Sequence, residues 1–173
     1  LWSELIGCSM LTSIENVIPE KNIIFFSPHF DDVLFCLGGY IGSLRAADKL
    51  QSKTFSVELL FSRSNYLARD DAGNRQTDDA RLQQASGIRM IEDMNCLDEL
   101  IGVDQYVYAL HGFRECFARG KACADSEMEF PHGMFADFDD QDRELFEQTQ
   151  SLIQGFLGRE DTALVFLTAI KEH

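Results

Sequence analysis

Residues 22–39 read NIIFFSPHFDDVLFCLGG, and this stretch decides the fold. It begins with a short run of β-branched and aromatic residues, which is typical of a strand buried on both faces. Pro28 ends that run, and a helix follows because Asp31 or Asp32 can serve as its N-cap. One imidazole and two carboxylates therefore lie where a strand gives way to a helix. In open α/β sheets, that end of the strand is where ligands bind.

Strands and helices alternate along the rest of the chain. Hydrophobic periodicity and turn residues predict strands over residues 22–27, 54–62, 105–110 and 163–168. Helices are predicted over residues 32–48, 86–100 and from 139 or 140 to 158. Alternation of this kind predicts one α/β domain over residues 1–173, with a mostly parallel sheet and helices on both of its faces.

The predicted helix over 86–100 is identified by its apolar residues, which fall three and four positions apart: Ile88, Ile91, Met94, Leu97 and Ile101. The polar residues 63–79 before it are predicted to form a long loop. A glycine pair, 38–39, lies inside the first helix. It indicates either a close approach of a neighbouring backbone or a local kink.

Composition excludes several classes of partner. The chain has 173 residues, 45% of them hydrophobic and 25% charged, which suits a globular domain with a sizeable core. Its formal net charge of -14 would repel phosphate backbones and anionic lipids, so we expect neither nucleic acid nor a membrane surface as a partner. No apolar run reaches the ~18 residues of a spanning helix, and the first residues lack a signal-peptide pattern.

The chain has five cysteines, an odd number without a Cys-x-x-Cys pair: Cys8, Cys36, Cys96, Cys116 and Cys123. This pattern favours thiols without a chemical role over disulfides or cysteine-based catalysis. A reducing cytoplasm is the expected location.

The polar residues at the end of the first strand suit a metal site. His29 and Asp32 are three residues apart and can both reach one Zn²⁺, while Asp31 can act as a general base on an activated water. A catalytic zinc site has three protein ligands, so a third must come from elsewhere in the chain. In the alternative interpretation, the two aspartates only cap the helix and His29 is an ordinary loop residue.

Residues 27–32 and the glycine pair resemble the Pro-His-x-Asp-Asp…Gly-Gly signature of the LmbE/PIG-L-like family of zinc-dependent N-deacetylases. Residues 61–66 (FSRSNY) are similar to a segment found after the second strand in some bacterial members. Arg89 and Glu92, followed by Leu-Ile-Gly at 100–102, resemble the family's Arg-x-x-Glu helix, which ends in a Leu-Gly pair. The resemblance extends from about residue 22 to the end of the sequence.

The resemblance implies a three-layer, Rossmann-like fold and a hydrolytic function. His29 and Asp32 would be ligands of zinc, or of another divalent cation, and Asp31 would be the general base. A metal-activated water would attack the carbonyl of an N-acetyl group on a small, sugar-containing substrate. The products would be acetate and a free amine.

The family's remaining element is a His-x-Asp-His sequence after a later strand, whose last histidine is the third metal ligand. We align His173 with the first histidine, which assists the tetrahedral intermediate. The third ligand would then lie after residue 173. Aligning His173 with the last histidine instead places Ile170 and Glu172 at the other two positions, which fits less well. Phe30 and Val33 also replace the family's commoner Pro and Glu, which weakens the transfer of a particular substrate.

Other polar residues are weaker candidates. His111 and His132 could line the site, although solvent-facing or core-satisfied histidines are the simpler interpretation. Arg63, Arg69 and Arg114 could hold an anionic or hydroxyl-rich substrate. Two other functions stay open: a catalytically inactive small-molecule or glycan-binding module on the same fold, and a metal-free nucleotide-binding domain. The latter is disfavoured because the first turn lacks phosphate-binding glycines.

Overall fold

The computed structural model describes residues 16–70, 72–119 and 140–167. Four strands form one sheet: β1 (Asn22–Ser27), β2 (Thr54–Leu59), β3 (Tyr106–Leu110) and β4 (Thr162–Phe166). The order across the sheet is β3-β2-β1-β4, and each neighbouring pair is parallel. The predicted parallel sheet is therefore confirmed for the described residues.

Three helices connect the strands: α1 (Asp32–Ala46), α2 (Asp79–Leu100) and α3 (Asp140–Gln154). Both α1 and α2 pack on one face of the sheet, where Phe25 and Val57 meet Leu44 and Leu97 in a fully buried core. On the opposite face, Phe26 packs edge-on against Phe156, which follows α3, with ring centroids 5.4 Å apart. The three layers confirm the expected Rossmann-like α/β fold.

The strand order creates a switch point beside β1. From β1 the chain moves outward to β2 and then β3, and it returns to place β4 on the other side of β1. In open α/β sheets, the crevice outside the carboxyl ends of two such strands is the usual ligand site. Residues 27–32 leave β1 at this crevice.

The predicted bounds of two elements are wrong. β2 ends at Leu59 rather than at residue 62, level with Ser27 at the end of β1, and only Leu60 and Phe61 continue the hydrogen bonding on that side, by donating to the carbonyls of Ser27 and Pro28. α2 begins at Asp79 rather than at residue 86. Its start is fixed by Asp78, whose side chain accepts a 3.0 Å hydrogen bond from the backbone N–H of Arg81.

The remaining bounds need smaller corrections. α1 ends at Ala46 and β3 begins at Tyr106, each within two residues of its prediction. α3 ends at Gln154 rather than at Gly158, which instead lies in the following turn with a φ of 78°. β4 covers Thr162–Phe166, and the predicted last residue of that strand, Thr168, lies outside the described residues.

The expected apolar face of α2 is wrong for three of its five residues, whereas Leu97 and Ile101 are buried as predicted. Ile88, Ile91 and Met94 are 39%, 58% and 36% exposed. The buried residues of α2 follow a different stripe: Arg81, Leu82, Ala85, Asp93 and Leu97. Two of these are charged, so counting apolar residues alone identifies the wrong face.

No backbone of another described segment lies close to the glycine pair in α1, so the close approach considered from the sequence is not found there. Among the described residues, a Cβ added at position 38 would meet only the Leu34 side chain, at 3.5 Å, and one added at position 39 would meet no atom within 4 Å. α1 is continuous through both positions.

The polar segment between β2 and α2 is more ordered than a long loop. The buried Arg81 side chain donates to the carbonyl of Asn65 at 2.9 Å, to the carboxylate of Asp70 at 2.7 Å and to the amide oxygen of Asn74 at 2.8 Å. A short 3₁₀ turn, Gly73–Arg75, lies within the segment. Arg81 therefore ties this connection to the first turns of α2.

Candidate functional site

The turn between β1 and α1 is held by local hydrogen bonds. The Ser27 hydroxyl donates to the carbonyl of His29 at 2.9 Å, and the backbone N–H of His29 donates to Oδ2 of Asp32 at 2.9 Å. Asp31 occupies the N-cap position, but its side chain makes no capping hydrogen bond, and its φ of 73° is left-handed. The prediction that an aspartate side chain caps α1 is therefore wrong: the Asp32 carboxylate turns back to the strand.

His29 and Asp32 place two potential ligand atoms side by side. Nδ1 of His29 lies 3.5 Å from Oδ2 of Asp32, and Asp32 is largely buried. The imidazole stacks on the ring of Phe61, with centroids 5.7 Å apart. The structure thus brings together the two residues that the sequence predicts as metal ligands, in a fixed relation to each other.

The Asp31 carboxylate lies beside this pair and is about half exposed. Its partial burial raises the pKa above the ordinary value of 3.8, and the nearby carboxylates of Asp32 and Asp93 act in the same direction. Arg89 opposes the rise, with Nη2 3.9 Å from Oδ2 of Asp31. Asp31 therefore keeps an accessible carboxylate next to a cation.

Arg89 is itself immobilised by a largely buried network. Its Nη1 donates to Oε1 of Glu115 and to the Ser64 hydroxyl, each at 2.9 Å. Its guanidinium lies over the rings of Phe30 and Tyr66, 5.0 and 5.7 Å from the centroids. The family resemblance singles out Arg89, and the structure places it at the site.

Asp93 is a residue that the sequence reasoning missed. It is buried, and its Oδ1 accepts a 3.1 Å hydrogen bond from the backbone N–H of Asp31. Its Oδ2 accepts a 2.5 Å hydrogen bond from the Tyr108 hydroxyl. A signal was available, because Asp93 falls four residues after Arg89 on the same buried stripe as Leu97. Glu92, which the resemblance favours, is exposed.

His111 does not join the site. Its Nε2 lies 2.8 Å from Oε2 of the buried Glu58, so the ring is satisfied within the protein. It follows β3, which is separated by β2 from the strand that His29 follows. His132 and His173 lie outside the described residues.

Two of the candidate arginines, Arg63 and Arg114, lie next to each other in adjacent connecting segments. Arg63 and Arg114 form an isolated parallel β-bridge, and both donate to Oδ1 of the exposed Asp79, at 3.3 and 3.1 Å. Arg69 is exposed and has a φ of 66°. All three lie in connecting segments, as predicted, and two of them share one carboxylate.

The described residues contain no cluster of three or more His, Cys, Asp or Glu side chains that could hold a metal ion. Across the same residues, no disulfide joins Cys36, Cys96 and Cys116. None of the described helices is long and apolar enough to cross a membrane.

The chain matches no protein-family model, no curated protein and no solved structure. The fold and the turn therefore define only a class: an α/β protein of Rossmann-like architecture, with a polar turn at the switch point of its sheet.

Proposed function

We propose that this protein is a metal-dependent hydrolase that removes an N-acyl group, such as acetyl, from a small, sugar-containing molecule. The observation that carries the proposal is the 3.5 Å separation of His29 Nδ1 and Asp32 Oδ2 at the carboxyl end of β1, with the Asp31 carboxylate beside them.

The two donor atoms fit zinc in kind and in spacing. Imidazole nitrogen and carboxylate oxygen are both ordinary zinc ligands at about 2.0–2.1 Å, and two such ligands in a tetrahedral site lie ~3.3 Å apart. The 3.5 Å separation of His29 and Asp32 is close to that value. A third protein ligand is required. That it is a histidine after His173, and that His173 assists the tetrahedral intermediate, both stay predictions.

Zinc would supply Lewis-acid polarisation of the amide carbonyl and a lowered pKa for an adjacent water molecule. The protein's own contribution begins with Asp31. Its half-exposed carboxylate can accept a proton from the attacking water and deliver it to the leaving amine. Arg89, 3.9 Å away, favours the ionised form of Asp31 that this first step requires.

The surroundings of His29 restrict its movement. Stacking on Phe61 holds the imidazole plane, and the hydrogen bond from the backbone N–H of His29 to Asp32 fixes the two ligands relative to each other. Such pre-orientation lowers the entropic cost of assembling a metal site and of placing a substrate carbonyl next to it.

Metal analysis with matched variants tests the proposal. We expect full-length protein to bind about one equivalent of zinc by inductively coupled plasma mass spectrometry, and His29→Ala and Asp32→Ala to bind far less. His111→Ala is the control, because His111 follows β3 and is paired with Glu58 rather than with His29 or Asp32. Wild-type protein without any bound divalent metal would contradict the proposal.

Acetate release from a panel of N-acetylated amino sugars and their glycosides tests the reaction. Asp31→Asn should keep the metal and lower the rate by about 10²-fold or more, as expected for loss of a general base. An unchanged rate would show that Asp31 isn't the base. Sugar binding by wild-type protein without acetate release would instead support a binding module.

A further inference from the structure

Two tyrosine–aspartate pairs join α2 to β3 in the described part of the chain. The Tyr106 hydroxyl donates to Oδ1 of Asp98 at 2.9 Å, and the Tyr108 hydroxyl donates to Oδ2 of Asp93 at 2.5 Å. Both pairs connect the same two elements, and the Tyr106 hydroxyl also lies 3.3 Å from the Met94 carbonyl, but only the Asp93 pair reaches the turn after β1. The second oxygen of Asp93 accepts the backbone N–H of Asp31, which lies 62 positions earlier in the chain.

That contact holds a backbone conformation which is otherwise unfavourable. Asp31 has a φ of 73° and a ψ of -15°, in the left-handed region that is unfavourable for a residue with a Cβ. The Asp31 side chain does not stabilise the turn, because it makes no capping hydrogen bond. The hydrogen bond from its N–H to Asp93 is the shorter of two tertiary contacts on the Phe30–Asp31 peptide, the other being the 3.4 Å hydrogen bond that Arg89 donates to the Phe30 carbonyl.

α2 also contacts the side chain of Asp31 and the carbonyl that precedes it. Arg89, one helical turn before Asp93, approaches Oδ2 of Asp31 at 3.9 Å and donates to the carbonyl of Phe30 at 3.4 Å. One helix therefore restrains both the backbone and the carboxylate of Asp31. Arg89 is fixed in turn by Glu115 at 2.9 Å.

Packing alone does not require an acid at position 93. A buried carboxylate loses hydration, and an apolar residue in the same place would avoid that cost. Both oxygens of Asp93 are nevertheless used, one to hold Asp31 and the other to be held by Tyr108.

We propose that Asp93 is a positioning residue: anchored by Tyr108, it holds the Asp31 peptide so that the Asp31 carboxylate stays beside His29 and Asp32. This role rests on the proposed function, in which Asp31 is the base. Asp93 acts through Asp31 and does not itself contact the substrate.

Alanine variants at the two matched aspartates separate positioning from general stability. Asp93→Ala should lower kcat by about 10²-fold, the size expected when a reacting group is misplaced by ~1 Å. It should leave KM and the bound metal nearly unchanged. Asp98→Ala removes the corresponding pair on the same helix and should leave kcat within about threefold of wild type.

Conservative variants provide the rescue and a second test. Asp93→Asn keeps an oxygen that can accept the Asp31 N–H, so it should recover most of the lost kcat. Tyr108→Phe frees the Asp93 carboxylate and should lower kcat, whereas Tyr106→Phe should not. These milder changes test the proposal even where Asp93→Ala fails to fold.

Amide hydrogen exchange measures the anchor without any assay of activity. In metal-free protein, the Asp31 amide should exchange at least tenfold faster in Asp93→Ala than in wild type or Asp98→Ala. Unchanged exchange would overturn the anchor, and so would an unchanged kcat in active protein. Loss of metal in Asp93→Ala but not in Asp98→Ala would also overturn it, because the ligands and not the base would then depend on Asp93. Inactive wild-type protein with the predicted exchange would reject the proposed function and retain the anchor.

Discussion

Asp93 places a carboxylate in the interface between α2 and the sheet, and burial raises its pKa above the ordinary value of 3.8. The hydrogen bonds from Tyr108 and from the Asp31 backbone oppose that rise without cancelling it. An acid whose pKa is higher in the folded state than in the unfolded state binds more protons when folded. Its contribution therefore lowers the free energy of unfolding as pH rises between the two values.

We expect Asp93→Asn to gain stability relative to wild type as pH is raised from about 4 to 7, because the variant no longer buries an ionising group. Urea denaturation at several pH values would measure the difference. Asp98→Asn, which removes the carboxylate of the other tyrosine–aspartate pair on α2, is the matched control. A difference that stays flat, or that favours wild type as pH rises, would contradict the prediction.

At the scale of single residues, contacts between neighbours in the chain could be predicted from the sequence, and contacts between distant residues could not. His29, Asp31 and Asp32 are neighbours in the chain, so their shared position was predictable from one strand and one turn. Asp93 reaches Asp31 only because α2 packs beside α1 on the same face of the sheet. The spacing of Asp93 from Arg89 and Leu97 indicates a shared helix face, but it does not specify Asp31 as the partner.

At the scale of elements, the connection from β2 to α2 depends on the close packing of Gly73 against an ion pair. A Cβ added at this position would lie 2.6 Å from Nη1 of Arg81 and would also overlap the Asp70 carboxylate. The Arg81–Asp70 pair, at 2.7 Å, would have to move. The connection would then lose the side chain that organises it.

Gly73→Ala should therefore destabilise the protein by about 2 kcal/mol, the usual order for disturbing a hydrogen bond to a charged group. Gly42→Ala is the control, because a Cβ there meets nothing within 4 Å and alanine favours the helix by up to ~1 kcal/mol. Chemical denaturation of both variants gives the comparison. Equal stabilities for Gly73→Ala and wild type would contradict the assigned role of Arg81.

Elements were predicted well where one property identifies them. β1 has the predicted bounds because its run of buried apolar residues ends at a proline. α2 was predicted with the wrong start and a partly wrong face, because its cap is the polar Asp78 and its buried stripe includes Arg81 and Asp93. Charged residues that find partners can face a core, and hydrophobic periodicity does not register them.

At the scale of the whole molecule, the formal net charge of -14 opposes folding through self-repulsion. Raising NaCl from about 10 to 100 mM shortens the Debye length from ~30 to ~10 Å and screens that repulsion. We expect the Tm to rise by a few degrees over this range. Differential scanning calorimetry would measure the change, and a Tm that falls or stays constant would contradict a dominant role for net charge.

The fold class was predictable because alternating strands and helices leave a pattern in the sequence. The order of the strands was not, since no local property states that β4 pairs with β1 rather than with β3. That pairing creates the switch point, so the position of the crevice became clear only from the sheet.

The pairing of β1 with β4 also has a consequence for how the chain folds. The backbone N–H of Lys21 bonds to Asp161, 140 positions later, so this side of the sheet closes a very long loop. Contacts of such separation form slowly. At about 5–20 residues per second, ribosomal synthesis makes β4 several seconds after β3. Until then, β1 is an unprotected edge strand carrying Phe26. We therefore expect the crevice to form only once β4 docks, and a newly made chain to be most prone to aggregation before that step.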